Sequence, residues 1–242
     1  MNAPDTTTPF FTTSHQELSL HGYVSSDRFP QVIKLLTNLF TMPPDTFTEH
    51  HLIHKPHRPK NLPPNVETYY IKLLSRVEDP DADGMDGAQV YDARKQRWAI
   101  RLEDLPEVTR RPCVSRSILS ANTGSGDVMG FVRAMGYTIH ASYFTENRRL
   151  VHNNVVLTLS QILVPKTPEA GLGNPYRKDE ELRPLDPKNG WIVQASVKVA
   201  NNSDLDGLGQ AVNELTQVKD MVKGVVDLEV IERLALDTRV KG

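Results

Sequence analysis

The sequence predicts an α+β protein rich in β-structure: an antiparallel β-barrel of about eight or more strands, flanked by about three α-helices. Three observations support this fold class. Many short segments alternate apolar and polar residues, as half-buried strands do. Three other segments repeat apolar residues at helical spacing. The two kinds of segment do not alternate regularly, which disfavours a doubly wound parallel sheet. We expect one barrel domain, residues 15–242 of the 242-residue chain.

The first third of the chain predicts a tail, a strand, a helix and an extended segment. Residues 1–14 are rich in threonine and are expected to be disordered. A strand starts near Gln16 and reaches Val24, with a bulge at Gly22. Asp27 is the expected cap of a helix that ends before Pro43-Pro44. The apolar residues of this helix are Val32, Ile33, Leu36, Leu39 and Phe40. Residues 47–55 are extended.

The middle of the chain predicts three strands separated by flexible insertions. Residues 66–77 alternate in polarity, as do residues 98–103, and residues 110–119 form a third candidate strand. The Pro-rich insertion covers about 56–65. The acidic insertion covers about 78–96.

The last part predicts two helices and several strands. Ser125 or Gly126 opens a short helix that ends at Gly136 and has Val128, Phe131, Val132 and Met135 on one face. Residues 137–144 and 150–164 form a hairpin with its tip at 146–148. The insertion 166–189 is irregular and cannot be an interior strand. Residues 191–199 form a strand, and Ser203 caps an amphipathic helix over 205–222 that ends at Gly224. A last short strand covers 225–228.

Composition excludes several classes of protein. The net charge is −2, from 28 basic and 30 acidic residues, which argues against a dedicated duplex DNA binder. Cys113 is the single cysteine, so a disulfide framework within the chain and a cysteine-rich zinc site are excluded and a reducing compartment is expected. No apolar run approaches the ~20 residues of a membrane span. The N-terminus lacks the features of a secretory signal.

Two clusters have the residue types of metal sites. Asp79, Asp81, Asp83 and Gly84 match the first half of a calcium loop, but position twelve is Val90 and helices do not flank it, so a solvated acidic loop is favoured. The second cluster is Glu49, His50, His51, His54 and His57. Period-two alternation places His50 and His54 on one strand face and His51 on the other, so at most two ligands converge and surface histidines are favoured.

The remaining motifs have ordinary structural explanations. Basic clusters at Lys55-Arg58-Lys60, Arg94-Lys95-Arg97, Arg110-Arg111 and Arg148-Arg149 lack interleaved aromatic residues, so nucleic-acid binding is disfavoured. Thr123-Gly124-Ser125-Gly126 lacks the lysine of a phosphate-binding loop. A Gly-x-Ser-x-Gly elbow is absent, and Cys113 lies in a strand-like run beside basic residues. We therefore predict no catalytic, cofactor-binding or metal-binding residues and assign no partner-binding residues.

An ordered set of segments resembles a known family. Residues 17–55 contain Glu-Leu-Ser-Leu-His-Gly-Tyr-Val and Pro43-Pro44-Asp45-Thr46-Phe47. These are followed by Trp98-Ala99-Ile100-Arg101-Leu102, by Phe131-Val132-Arg133-Ala134-Met135-Gly136-Tyr137, by Ile162-Leu163-Val164-Pro165, and by Val226-Asp227-Leu228. The set resembles the family of subunit 18 of the Mediator of RNA polymerase II transcription, in its fungal form.

The resemblance implies an antiparallel barrel in the Mediator head module. It also implies a nuclear, non-catalytic scaffold and coregulator that forms a heterodimer with Mediator subunit 20 and binds a C-terminal helix of subunit 8. RNA polymerase II is contacted directly or indirectly, and no cofactor, membrane or sequence-specific nucleic acid is expected.

The alternative function is a metal-dependent RNA or polyphosphate triphosphatase, because the implied barrel resembles that of the tunnel triphosphatases. Such a tunnel needs strands of the Glu-x-Glu-x-Lys type, whose alternate carboxylates hold Mg²⁺ or Mn²⁺. Here Glu17 is followed two residues later by Ser19, Glu67 by Tyr69, and Glu103 by Leu105. We therefore expect a dry barrel interior lined by Trp98, Ile100, Leu102, Val155, Leu157, Leu159, Val193 and Val197, which disfavours the enzyme.

Overall fold

One antiparallel sheet forms the body of the molecule. The computed structural model describes residues 12–57, 63, 66–77, 93, 96–123, 126–166 and 182–240. Within these ranges the strands are β1 Thr12–Val24, β2 Asp45–Pro56, β3 Ile71–Val77, β4 Ala99–Glu103, β5 Val114–Asn122, β6 Tyr137–His152, β7 Val155–Pro165, β8 Leu182–Pro184 and β9 Trp191–Val199. The helices are α1 Phe29–Phe40, α2 Val128–Ala134 and α3 Leu205–Val222, with a 3-10 helix at Arg233–Leu236.

The sheet closes into a barrel. Its strand order is β6-β2-β3-β4-β5-β1-β9-β7-β8, and β6 also pairs with β7. Among the described residues, eight strands therefore form the ring and β8 is an added edge strand on β7. The predicted fold class, an antiparallel barrel flanked by three α-helices, is confirmed.

Two apolar cores lie on the outer face of the barrel. In the larger core, α1 and α3 cover β1, β7 and β9 through the buried side chains Leu18, Leu36, Leu157, Val193, Leu208 and Leu215. In the smaller core, α2 packs on β2 and β3 through Leu52, Leu73, Trp98 and Val132. Period-two alternation turns the other face of every strand towards the inside of the ring. No helix in the described part of the chain is long and apolar enough to cross a membrane.

The hairpin of β6 and β7 differs from its prediction. The strands turn at Asn153 and Asn154, where Asn153 adopts φ 52°, so the predicted tip at 146–148 is wrong. Asn147 is instead a buried strand residue that accepts a hydrogen bond from Ser160 Oγ at 2.7 Å. A polar run can continue a strand here because the inner face of the barrel is itself polar.

The helix caps are aspartates rather than the predicted residues. Asp127 accepts a hydrogen bond from Gly130 N, and Asp204 accepts one from Gly207 N. The expected roles of Gly126 and Ser203 are therefore wrong, and Ser125, the alternative to Gly126, lies outside the described residues. An aspartate with a glycine three residues later suits this cap, since an added Cβ on either glycine would lie 2.3 Å from a carboxylate oxygen. Helix α1 begins after Arg28 without a side-chain cap, so the Asp27 prediction also fails.

Gly22 is required by a close contact and not by a bulge. The register of β1 on β9 is continuous through Gly22, and the shift occurs instead between Ile53 and His54 of β2. A Cβ at Gly22 would lie 2.7 Å from the backbone oxygen of Asp227. Residues 225–228, which were predicted to form the last strand, cross β1 at this point. The described structure has an isolated bridge there, between His21 and Glu229.

Several boundaries shift. Residues 12–14, placed in the predicted tail, belong to β1, and the rest of that tail lies outside the described residues. The strand predicted from 66 begins at Ile71, and the one predicted from 110 begins at Val114. Helix α3 has the predicted bounds, although Leu205 is exposed. On α2, Val128 and Val132 are buried, but Phe131 and the C-cap residue Met135 are exposed. Most of the predicted flexible insertions lie outside the described residues.

Candidate functional site: the polar interior of the barrel

The interior of the barrel is mostly polar, with Phe47 and Ile118 as apolar side chains on the same inner face. Leu18, Leu157 and Val193 face the helices outside, so their strand neighbours Glu17, Thr158 and Gln194 face inwards. The prediction of a dry interior is wrong. Except for Leu102, the residues predicted to line a dry interior pack instead in the two outer cores. Leu102 lies on the outward face of β4, which it shares with Ile100. The helices pack on the outside of the barrel, so the outward strand faces must be apolar. Charged side chains of neighbouring strands can face inwards because they form ion pairs with one another.

Five charged side chains form the centre of this interior. Arg116 lies between two carboxylates: its Nη1 is 2.7 Å from Glu103 Oε2 and its Nη2 is 3.1 Å from Glu17 Oε1. Arg101 also contacts both carboxylates: its Nη2 is 3.2 Å from Glu17 Oε2 and its Nε is 3.0 Å from Glu103 Oε1. Lys72 Nζ is 2.7 Å from Glu103 Oε2. Glu17, Glu103 and Arg116 are each buried. Strands β1, β3, β4 and β5 are thus joined by one buried ion-pair network.

The network keeps Glu103 ionised. Burial by itself raises the pKa of this carboxyl, but the charges of Lys72, Arg101 and Arg116 outweigh burial and lower the pKa to about 2. Removing one member of a buried ion pair leaves an uncompensated charge and typically costs about 3–5 kcal/mol. The network therefore acts as a structural clamp between strands.

A second polar group lies on the inner face of β2, β6 and β7. His51 Nε2 and Thr145 Oγ1 are joined by a hydrogen bond of 2.9 Å, and Asn147 Nδ2 donates to Thr145 Oγ1 at 2.9 Å. Ser160 completes the chain through Asn147. Tyr143 stacks on His51 with ring centroids 4.7 Å apart. Burial lowers the pKa of His51 to about 3 and raises that of Tyr143 to about 12, so both rings are neutral at pH 7.

This arrangement does not suit a metal ion. A divalent cation bound by Glu17 and Glu103 would occupy the space between them, and Arg116 already fills it. In the described ranges, no group of three or more His, Cys, Asp or Glu side chains could hold a metal. What the arrangement can do is hold strands together and present cations and neutral donors to the interior.

The predicted surface histidines are mostly buried. His50, His51 and His54 are each less than a tenth exposed, whereas His57 is exposed. His50 stacks on Phe144 outside the barrel and its Nε2 is hydrogen-bonded to Ser142 Oγ at 2.9 Å. His50 and His51 thus occupy opposite strand faces, as the alternation predicted. Their burial was missed because a run of histidines in a strand has the composition of a solvated segment.

The other sequence motifs do not converge on this interior. The calcium-like residues Asp79, Asp81 and Asp83 lie outside the described residues. Thr123 donates a hydrogen bond to the backbone oxygen of Trp98, which gives it a structural role. Cys113 is buried in the larger core, and burial raises the pKa of its thiol.

The basic clusters divide between the two faces of the barrel or fall outside the described residues. Arg148 binds Glu146 on the outer face at 2.6 Å, while Arg149 is on the inner face. Lys60 and Arg94 lie outside the described residues. The described members therefore do not form one continuous phosphate-binding track.

Sequence reasoning missed the members of the network as functional candidates. Alternation over 98–103 places Arg101 and Glu103 on one polar strand face, and the comparison with a triphosphatase tunnel treats Glu17 and Glu103 only as metal ligands. The available signal was a charged residue on the polar face of several predicted strands. That signal becomes a site only when β1 pairs with β5 and brings together Glu17 and Arg116, which are 99 residues apart.

Comparison with known proteins places this fold in a family. A family model described as Med18 protein matches residues 16–239. The Mediator of RNA polymerase II transcription subunit 18 of Yarrowia lipolytica is 25% identical over 244 residues, covering 93% of this chain and 100% of the relative. The protein of that name from Aspergillus fumigatus is 32% identical over 152 residues, covering 62% of this chain and 57% of the relative.

A solved structure has the same fold. A chain in the structure of the Schizosaccharomyces pombe Mediator head module superposes with a TM-score of 0.70 at 23% identity, covering 93% of this chain and 100% of that chain. Since the family match spans the barrel and all three α-helices, this chain belongs to the Med18 protein family.

Proposed function

We propose that this protein is a non-catalytic structural subunit of the Mediator head module in the nucleus. It acts as a transcription coregulator that bridges regulators and RNA polymerase II, directly or indirectly, through protein contacts. The observation that carries the proposal is the family match over residues 16–239. The shared fold with a chain of the fission yeast head module gives further support.

The chemistry of the barrel interior supports a role without catalysis. Glu17 and Glu103 are the central carboxylates, and both are engaged by Arg101 and Arg116. A carboxylate that is paired with guanidinium groups is a poor metal ligand, because the cation must be displaced first. The metal-dependent triphosphatase is the alternative that this pairing disfavours.

The proposed partners are Mediator subunit 20, as a heterodimer, and the C-terminal helix of subunit 8. Two exposed apolar pairs offer contact surfaces for them. Leu35 and Leu39 lie one turn apart on α1, and Phe131 of α2 lies one turn before Met135, the C-cap residue of that helix. Residues four apart share one helix face, so each pair forms a short apolar stripe that a partner helix can cover.

The experiment is co-purification of the full chain after co-expression with subunits 20 and 8. A stoichiometric complex is expected. Leu39→Arg or Phe131→Arg should weaken it while leaving the chain folded, because both side chains are exposed. Asn38→Arg, at an exposed position next to Leu39, is the control and should retain the complex. Failure of both subunits to co-purify with the wild-type chain would contradict the proposal.

A further inference from the structure

Positive charge exceeds negative charge at the centre of the described barrel interior. Lys72, Arg101 and Arg116 share the carboxylates of Glu17 and Glu103. Within this network three cations are opposed by two anions, and Glu49, a third carboxylate of the inner face, lies near Arg101. An excess charge in surroundings less polar than water exerts a stronger attraction on a counter-ion than it would in bulk solvent.

Arg149 adds a further cation on the inner face of β6. Its guanidinium lies 4.3 Å from the ring centroid of Phe47. Asp45, opposite Arg149 in the strand register, pairs with Arg76 at 3.0 Å. The carboxylate of Glu49 on β2 interacts with the charge of Arg149. Within the described part of the chain, however, no carboxylate lies within ion-pairing distance of Arg149, and its buried Nε has no hydrogen-bond partner. With Arg149 included, four cations face the three carboxylates of Glu17, Glu49 and Glu103.

A row of polar side chains leads from Arg149 across the interior. The register places Thr158 opposite Arg149, Gln194 opposite Thr158, and His21 opposite Gln194. Because neighbouring strands lie about 4.8 Å apart, the row spans about 14 Å of the wall.

Two polar atoms near the end of the row have no partner. His21 Nδ1 and the Oγ of Ser19 are buried without a hydrogen bond to any described residue, and Ser19 is 0% exposed. Buried polar atoms in folded proteins are nearly always hydrogen-bonded. These two atoms therefore mark positions where a ligand atom fits the chemistry of the wall.

We propose that the barrel interior binds a small phosphate-type oxyanion without a metal ion, between Arg149 and the polar atoms of Ser19 and His21. A guanidinium group matches phosphate oxygens with paired N–H donors. Hydroxyl, amide and imidazole groups add neutral donors along the row. The interior of an eight-stranded barrel is wide enough either to be filled by side chains or to hold one small ligand. This anion site goes beyond the scaffold role and does not depend on it.

The test is titration of the full chain with pyrophosphate, and separately with orthophosphate, in the presence of EDTA. Isothermal titration calorimetry is expected to show saturable one-to-one binding, accompanied by a higher thermal midpoint. Arg149→Gln should weaken binding at least about tenfold, since it removes the charge-assisted hydrogen bonds. Arg148→Gln is the matched control, because it removes the same charge from the outer face of the same strand, and it should change the affinity less than about twofold.

Thr158→Glu provides a second test that leaves Arg149 in place. The new carboxylate would face Arg149 across the β6–β7 pair and neutralise its charge, so this variant should not bind the anion. Without anion, its thermal midpoint should be higher than that of the wild-type chain, because opposite charges across a strand pair stabilise the sheet. If Arg149→Gln does not fold, the calorimetric titration of Thr158→Glu tests the proposal in its place. Absence of saturable binding to the wild-type chain, equal weakening by both arginine variants, or undiminished binding by Thr158→Glu would each overturn the proposal.

Discussion

Leu215 provides the most direct test of how α3 is joined to the barrel. This side chain is 1% exposed and belongs to the larger core, between α3 and the strands β1, β7 and β9. The proposed change is Leu215→Asp. If the apolar stripe of α3 closes the core of this chain, as its burial indicates, the substitution should unfold the isolated protein.

The magnitude follows from two effects. Removing a buried leucine side chain costs about 2–5 kcal/mol. Placing an unpaired carboxylate in the same apolar site costs several kcal/mol more. Their sum is comparable with the ~5–15 kcal/mol that stabilises a typical domain. Leu215→Ala removes only the first contribution, so about 3 kcal/mol and a decrease of about 6–12 °C in the thermal midpoint are expected.

Circular dichroism during heating and during urea titration measures both variants. Leu205→Asp is the control, since it makes the same change on the same helix at a side chain that is 72% exposed. It should alter the unfolding free energy by less than about 1 kcal/mol, and a carboxylate in the first turn of a helix is favourable. A folded Leu215→Asp protein with an unchanged midpoint would refute the reasoning and indicate that this face of α3 serves a partner.

Three further predictions concern pH, backbone contacts and catalysis. Acid should lower the urea midpoint: Glu103 has a folded pKa of about 2 against an ordinary value of 4.5, so its stabilising contribution is complete above about 4.5 and is lost as the pH falls towards 2. His51 adds to this effect, because burial holds its pKa at about 3 against 6.5, so its contribution is lost as the pH falls from 6.5 to 3. A midpoint that stayed constant between pH 7 and pH 3 would count against both. Gly22→Ala should lower the unfolding free energy by about 1–3 kcal/mol through its backbone clash, whereas Gly209→Ala on α3, with nothing within 4 Å, should raise it by about 0.5–1 kcal/mol; urea titration of the pair gives the sign of each. Finally, the purified chain with Mg²⁺ or Mn²⁺ should release no phosphate from nucleoside triphosphates or 5′-triphosphate RNA, because Arg116 occupies the space between the central carboxylates. Metal-dependent turnover that a single carboxylate substitution abolishes would overturn this expectation.

Local chemistry made most of the elements predictable. The stripe of α3 was visible in the spacing of Leu208, Leu215 and Val222, and all three are buried in the larger core. Strand β9 was visible in strict alternation over Trp191–Val199. These signals depend on residues within one or two turns or along one strand, so the sequence contains them in full.

The turn of the β6–β7 hairpin was hidden by a polar run. Asn147 has the composition of a loop residue, yet it continues β6 because Thr145 and Ser160 supply hydrogen bonds inside the barrel. The same misreading placed histidines on the surface. Whether a polar strand residue is solvated or buried depends on partners from other strands, and these are distant in sequence.

The sequence by itself determined that this chain forms many two-faced strands and one strongly amphipathic helix, and hence a β-rich barrel with helices. Only the tertiary structure decided which face turned inwards. Alternation with period two distinguishes the two faces but is identical for either choice. The helices required the apolar faces on the outside, and the pairing of β1 and β4 with β5 joined Glu17, Glu103 and Arg116 into a buried network that no single segment contains.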